Sequence, residues 1–138
     1  MITIIRIAGM VNMNRDIDET FSRLLLKRKY SCTIINEAPE IIGMIHKIKD
    51  FCAYGTIDKD TLVKLIEKRG QPLDKKKKID AEKIAEMILK NKNFDGTGIK
   101  PFFRLHPPRG GIDSRVHYPK GVLGDHKDKL NELVRRML

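Results

Sequence analysis

ITIIRIA, residues 2–8, is a short apolar run closed by Gly9, and its reading decides the fold. It could pass for the start of a targeting segment. Arg6 interrupts it, however, no basic stretch precedes it, and no small-residue cleavage site follows. It also falls short of the ~18 apolar residues that a membrane span needs. The run is therefore expected to be a buried first strand.

Working outward, Gly9 releases the chain into the polar turn NMNRD. Asp16, followed three residues later by Glu19, resembles a capping box. Ile17, Phe21, Leu24 and Leu25 then fall at helical spacing on one face, and the helix is expected to end in Lys27, Arg28 and Lys29, where cations suit the dipole. SCTII at 31–35 predicts a second strand. From Glu40 a second helix sets Ile41, Ile45 and Ile48 on one side, with Gly43 inside it as either a close-approach point or a neutral glycine. CAYG at 52–55 predicts a third strand. This β-α-β-α-β order calls for right-handed crossovers and a sheet with helices over one face.

The second half changes character. Asp58 can cap a helix carrying Leu62, Leu65 and Ile66, stopped by Gly70 and Pro72. QPLDKKKK is a linker whose lysines, 75 to 78, are either solvated or in contact with a polyanion. Asp80 opens a helix with Ile84, Met87 and Ile88 on its apolar face. DGTG at 95–98 is a turn, and KPFFRL predicts a fourth strand with one phenylalanine inward. Residues 106–124 have neither period and hold Pro107, Pro108 and Pro119, so they are expected to form a long loop or arm. The last segment predicts an amphipathic helix that docks Leu130, Leu133, Val134 and Met137 on the chain's own core. The expected class is α+β. A core spans 1–56 and an extension spans 57–138, the two forming one compact unit.

The chain has 138 residues, a formal net charge of +10 and a sequence pI near 9.7. One core is affordable at this length, and the charge points to a polyanionic partner, nucleic acid or an acidic membrane surface. Cys32 and Cys52 lack CxxC spacing and sit among apolar residues, as reduced buried thiols of a cytosolic protein do.

The stretch FFRLHPPRGGIDSRVHYPKG, residues 102–121, concentrates the unusual chemistry. No Ser-His-Asp or Cys-His set can be paired within it, and DGTGIK lacks the spacing of a phosphate-cradling loop. His106, His117 and His126 stand eleven and nine residues apart, unlike the short paired spacings of structural zinc sites. Neither a catalytic centre, a metal nor a cofactor is expected. Between Ile99 and Gly124 the cations are Lys100, Arg104, Arg109, Arg115 and Lys120, against one anion, Asp113. Arginine forks match phosphate oxygens, Gly110 and Gly111 leave backbone amides bare, and Tyr118, His106 and His117 can stack on unpaired bases. Nucleic-acid contact is the reading these residues favour over a solvated loop.

FFRLHPPRGG, the segment GMIHKIKDF at 43–51 and the opening IIRIAGMVN closely resemble the large-subunit ribosomal protein L-thirty family in its longer archaeal form, related to the eukaryotic protein L-seven. The resemblance covers essentially the whole chain, with residues 1 to about 56 matching the core shared with short bacterial relatives. It implies a ferredoxin-like core and a structural role in the large ribosomal subunit in the cytoplasm. The implied partners are large-subunit rRNA, 5S rRNA and neighbouring large-subunit proteins. By position it implies that Arg23, Lys27, Arg28, Lys47, Arg104, His106 and Arg109 face RNA, with Arg115 and Lys120 beyond them where the family varies. A free-standing regulator binding RNA or DNA off the ribosome is the alternative, and an enzyme acting on RNA comes third.

Overall fold

A computed structural model of the chain describes residues 1–73, 80–91, 94, 96–112 and 114–138. The lysine linker 75–78, Asp95 of the expected DGTG turn and Asp113 lie outside the described residues. The elements in chain order are β1 (Ile2–Arg6), α1 (Arg15–Arg23), β2 (Ser31–Ile35), α2 (Pro39–Ile48), β3 (Cys52–Thr56), α3 (Lys59–Arg69), α4 (Ala81–Asn91), β4 (Phe102–Arg104), β5 (Gly124–Asp125) and α5 (Leu130–Met137), the last preceded by a 3-10 turn at Lys127–Lys129.

The strands form one sheet in the order β4-β2-β1-β3-β5. β1 is central and antiparallel to both β2 and β3, with Ile5 opposite Cys32 and Ala53. The expected pair of parallel crossovers is therefore half right. β2 and β3 run the same way with β1 between them. The β1–α1–β2 connection instead returns the chain, because the seven residues 24–30 bring it back to the end where β1 stopped.

Helices cover both faces of the sheet, not one as expected. The reason lies in β1, where Ile4 and Ile5 are consecutive, point to opposite sides and are both fully buried. Ile4 packs with Phe21, Leu24, Leu26, Ile45, Ile48 and Cys52 under α1 and α2. Ile5 and Ile7 pack with Cys32, Ile34 and Ala53 against Leu62, Leu65, Ile66, Leu130, Val134 and Met137 of α3 and α5. The extension thus supplies a complete second layer and both outer strands.

The helix boundaries and faces depart from the sequence expectation at four points. The cap of α1 is Asn14, whose Oδ1 accepts from the Asp16 N–H at 3.2 Å, and Asp16 occupies the first turn. The helix stops at Arg23, so Lys27–Lys29 lie in the turn beyond it, and Leu25 points outward while Leu26 enters the core in its place. On α4, Ala85 takes the buried position expected of Met87, which is 40% exposed. Asp58 precedes α3 without a side-chain cap bond. Its own N–H donates to Asn131 Oδ1 of α5 at 3.0 Å, joining the two helices of the second layer.

Gly43 resolves the choice left by the sequence. A Cβ at this exposed position of α2 would meet no atom of the chain within 4 Å, so nothing in this molecule requires the glycine. Gly43→Ala should raise the unfolding free energy by about 0.5–1 kcal/mol, because the unfolded chain loses freedom and the helix loses nothing. Denaturant unfolding of the two proteins side by side measures it.

Arg6 is only 1% exposed. Its Nη1 donates to the Leu26 carbonyl at 2.8 Å, its Nε donates to the Gly9 carbonyl at 3.0 Å, and its plane lies 4.0 Å over the Phe21 ring. Burial pulls its pKa down from the usual arginine value, and Asp18 opposes that shift. The residue that seemed to interrupt the strand instead ties together the two loops that flank α1.

Cys32 and Cys52 are free and fully buried. Burial raises both pKa values, Cys52 from 9.0 to about 12 with a smaller contribution from Asp50. The unfolded thiols ionise near pH ~8.5, whereas the folded ones stay protonated well above it. This stability is fully present below that pH and is lost as pH rises toward the folded values. Between pH 9 and 11 each thiol should cost about 1.4 kcal/mol per unit. Stability measured across that range should fall less steeply in Cys52→Ala than in the parent.

Candidate nucleic-acid interface

The pairings place the ends of β1 and β4 and the starts of β2, β3 and β5 at one end of the sheet, with Arg6 opposite Cys52, Ser31 opposite Arg104, and Ala53 opposite Gly124. Loops 7–14, 24–30 and 49–51 gather there, together with residues 105–123. Because β4 and β5 are the outer strands on opposite edges, residues 105–123 must cross the whole end of the sheet. They form a strap across it, not an arm reaching away from it.

Backbone bonds fix the strap. The Leu105 N–H donates to the Tyr30 carbonyl at 2.9 Å, and the His106 and Arg109 N–H groups donate to the Met137 and Arg136 carbonyls at 3.0 Å each. The proline-rich segment thereby satisfies the last carbonyls of α5, which no helix can satisfy internally. Gly110 and Gly111 turn the chain with φ of +82° and +78°, a region other residues enter only at a cost. Arg136 reaches back, donating from Nε to the Arg109 carbonyl at 3.0 Å and from Nη2 to the Gly111 carbonyl at 2.8 Å. Beyond the turn, residues 114–123 fold on themselves: Ser114 Oγ donates to the Lys120 carbonyl at 2.8 Å, and the Tyr118 N–H donates to the Leu123 carbonyl at the same distance.

This geometry sorts the predicted residues. Lys27, Arg28, Arg104, His106, Arg109, Arg115 and Lys120 are all exposed at the strap end of the sheet. None of these seven side chains has an acidic partner among the described residues. Arg23 and Lys47 stand apart from them. They line a shallow groove between α1 and α2 with Asp16, Glu19, Thr20 and Met44, where Arg23 is paired with Glu19.

The aromatic candidates divide as well. The Tyr118 ring packs 4.7 Å from that of buried His126, which in turn bonds the Val122 carbonyl at 2.8 Å. His117 Nε2 lies 2.8 Å from Asp50 Oδ1. These two residues brace the strap, and His106 alone of the three stacking candidates has an exposed ring without a protein partner among the described residues. Phe103 is the inward phenylalanine of β4.

Sequence reasoning missed Arg136. The adjacent arginines 135 and 136 were a visible signal, but that helix was read only through its apolar face. Among the described residues, no group of three or more His, Cys, Asp and Glu could hold a metal ion, and no helix is long and apolar enough to cross a membrane.

The molecule is thus an α+β protein with a ferredoxin-like centre, a second helical layer and one cation-rich end. The family model for ribosomal protein L30p/L7e matches residues 2–52. Three proteins named large ribosomal subunit protein uL30 match nearly the full length. The one from Archaeoglobus fulgidus is 36% identical over 99% of both chains. The one from Methanococcus maripaludis is 38% identical over 98% of this chain and 97% of its own. The one from Hyperthermus butylicus is 38% identical over 98% of this chain and 88% of its own. The chain belongs to the L30p/L7e ribosomal protein family.

Proposed function

We propose that this chain is a structural constituent of the large ribosomal subunit in the cytoplasm, where it holds folded rRNA beside neighbouring large-subunit proteins. Large-subunit rRNA is its main ligand, and 5S rRNA is a second. The observation that carries this reading is the strap, which together with Arg104 at the end of β4 displays His106, Arg109, Arg115 and Lys120 at the same end of the sheet as Lys27 and Arg28. Arg23 and Lys47 add contacts from the α1–α2 groove. A rigid support with forked cations suits phosphate oxygens fixed in a folded RNA, and nothing in this role calls for a cofactor or a reacting group.

The test is RNA affinity beside a melting curve for Arg104→Ala with Arg109→Ala. Binding to deproteinised large-subunit rRNA should weaken strongly. The thermal midpoint should stay nearly unchanged, because the strap is held through the Arg109 backbone and not its side chain. Lysine replacements should recover only part of the loss. In the parent, log affinity should fall with log salt at a slope on the order of −3 to −5 if roughly five phosphates are neutralised. Normal binding with a lowered midpoint would make the two arginines an internal brace and end the RNA reading. Sedimentation separates the alternatives further, since a subunit component co-migrates with large subunits and a free regulator stays in the light fractions.

A further inference from the structure

Beside the cations of the strap end, the chain holds out apolar side chains that its own core does not use. Val11 is 80% exposed, Met10 49% and Leu25 41%. They belong to the two loops that Arg6 joins, Met10 and Val11 following Gly9 and Leu25 preceding Leu26, whose carbonyls share that one guanidinium. The apolar tip is therefore mounted on a buried anchor.

Leu25, with φ +60°, is the residue just past the cap of α1, where its own N–H and that of Leu26 donate to the Ser22 and Phe21 carbonyls at 3.2 and 2.8 Å and close the helix. That turn uses the left-handed backbone, which glycine or asparagine adopts more readily, and not the exposed leucine side chain, which is left available for a function outside the molecule. The surrounding charge indicates which function. The loops 7–14 and 24–30 contain Lys27, Arg28 and Lys29 and no acidic residue, and Asp50 of the third loop at this end is paired with His117. An apolar protein partner would not select this cluster of cations, whereas RNA offers phosphates to the cations and flat apolar base faces to the tip.

We propose that Met10, Val11 and Leu25 form an apolar wedge that packs on the exposed face of an unpaired base in folded RNA. The wedge rests on the RNA reading above and adds a contact that does not depend on charge. The chemistry separates the two. Phosphate contacts release counterions and set the salt slope, while burial of apolar side chains against a base is nearly independent of salt. Strap variants should change the slope, and wedge variants should lower affinity equally at every salt concentration.

The experiment measures binding to deproteinised large-subunit rRNA and to a fully paired RNA duplex across a salt series. Met10→Ser with Val11→Ser should lose about tenfold or more on the rRNA with the slope unchanged, and should bind the duplex as the parent does, because a duplex interior exposes no base face. Leu25→Asn should also weaken rRNA binding while raising the thermal midpoint by about 2–5 °C, since asparagine tolerates the left-handed backbone. That opposed pair of shifts excludes simple misfolding. Unchanged rRNA affinity in both variants overturns the wedge, and if Arg104→Ala with Arg109→Ala still weakens binding, the RNA reading survives without it. Normal rRNA affinity with loss of incorporation into subunits assigns the tip to a protein neighbour and equally overturns the wedge. A change in slope in the wedge variants would do so as well.

Discussion

Arg6→Met should lower the unfolding free energy by about 3–5 kcal/mol, the largest loss expected from a single substitution in the core strands. The methionine fills much of the volume and suits the Phe21 ring, so little of the loss comes from a cavity. It comes from the Gly9 and Leu26 carbonyls, which Arg6 now satisfies. The buried Leu26 acceptor left without a donor costs ~1–3 kcal/mol and the partly buried Gly9 one less, and the two loops lose their common tie. Removing a desolvated charge recovers part of this, which keeps the figure below the sum. Arg6→Lys should restore less than half, because one ammonium cannot span both loops. Urea unfolding with an unchanged m-value measures the effect. A loss below about 1 kcal/mol would show that the guanidinium is a passenger.

Residues 1–56 expressed alone should not hold the native fold as a monomer. We propose that the two halves of the chain, the core at 1–56 and the extension at 57–138, fold as one unit. Without the extension, Ile5, Ile7, Cys32, Ile34 and Ala53 would face water across one side of the sheet. β2 and β3 would also lose β4 and β5 and become bare edges, the condition that promotes sheet-to-sheet association. At roughly this length burial is marginal even with a full core. The fragment should therefore aggregate or self-associate, as read by sedimentation and amide protection. A soluble, cooperatively melting monomer would show that the core is independent and the proposal wrong.

These particulars also show how far the sequence could be read. β2 matches its expected bounds at 31–35, because an apolar run between turns leaves little choice. α3 and α5 bury the faces their spacing demanded. What escaped was decided at long range. β5 is two residues long and exists because β3 offers an edge, and two residues carry no period. The strap looked like an arm since prolines and glycines have no pattern of their own, while the groups that hold it lie at Tyr30, Arg136 and Met137. Leu25 kept the helical spacing of its neighbours but fell one residue past the cap at Leu24. The exposed cations were legible by charge. That seven of the candidates, but not Arg23 and Lys47, lie at one end of the sheet required the strand order.

The placement of the two outer strands has a consequence in time. β4 and β5 are the last strands to be synthesised, yet they close the two sides of a sheet whose middle is made first. At elongation rates of ~5–20 residues per second, the interval between the emergence of Thr56 and that of Gly124 is roughly 3–14 s. The nascent chain carries two open flanks until β4 emerges and one until β5 does, and His106 and Arg109 have no α5 against which their backbone can be set until still later. The cationic end is complete only when Arg136 and Met137 have left the exit tunnel. On the RNA reading proposed above, a prematurely released chain would therefore lack the surface that admits it to an RNA particle, and finishing translation would be the condition for joining one.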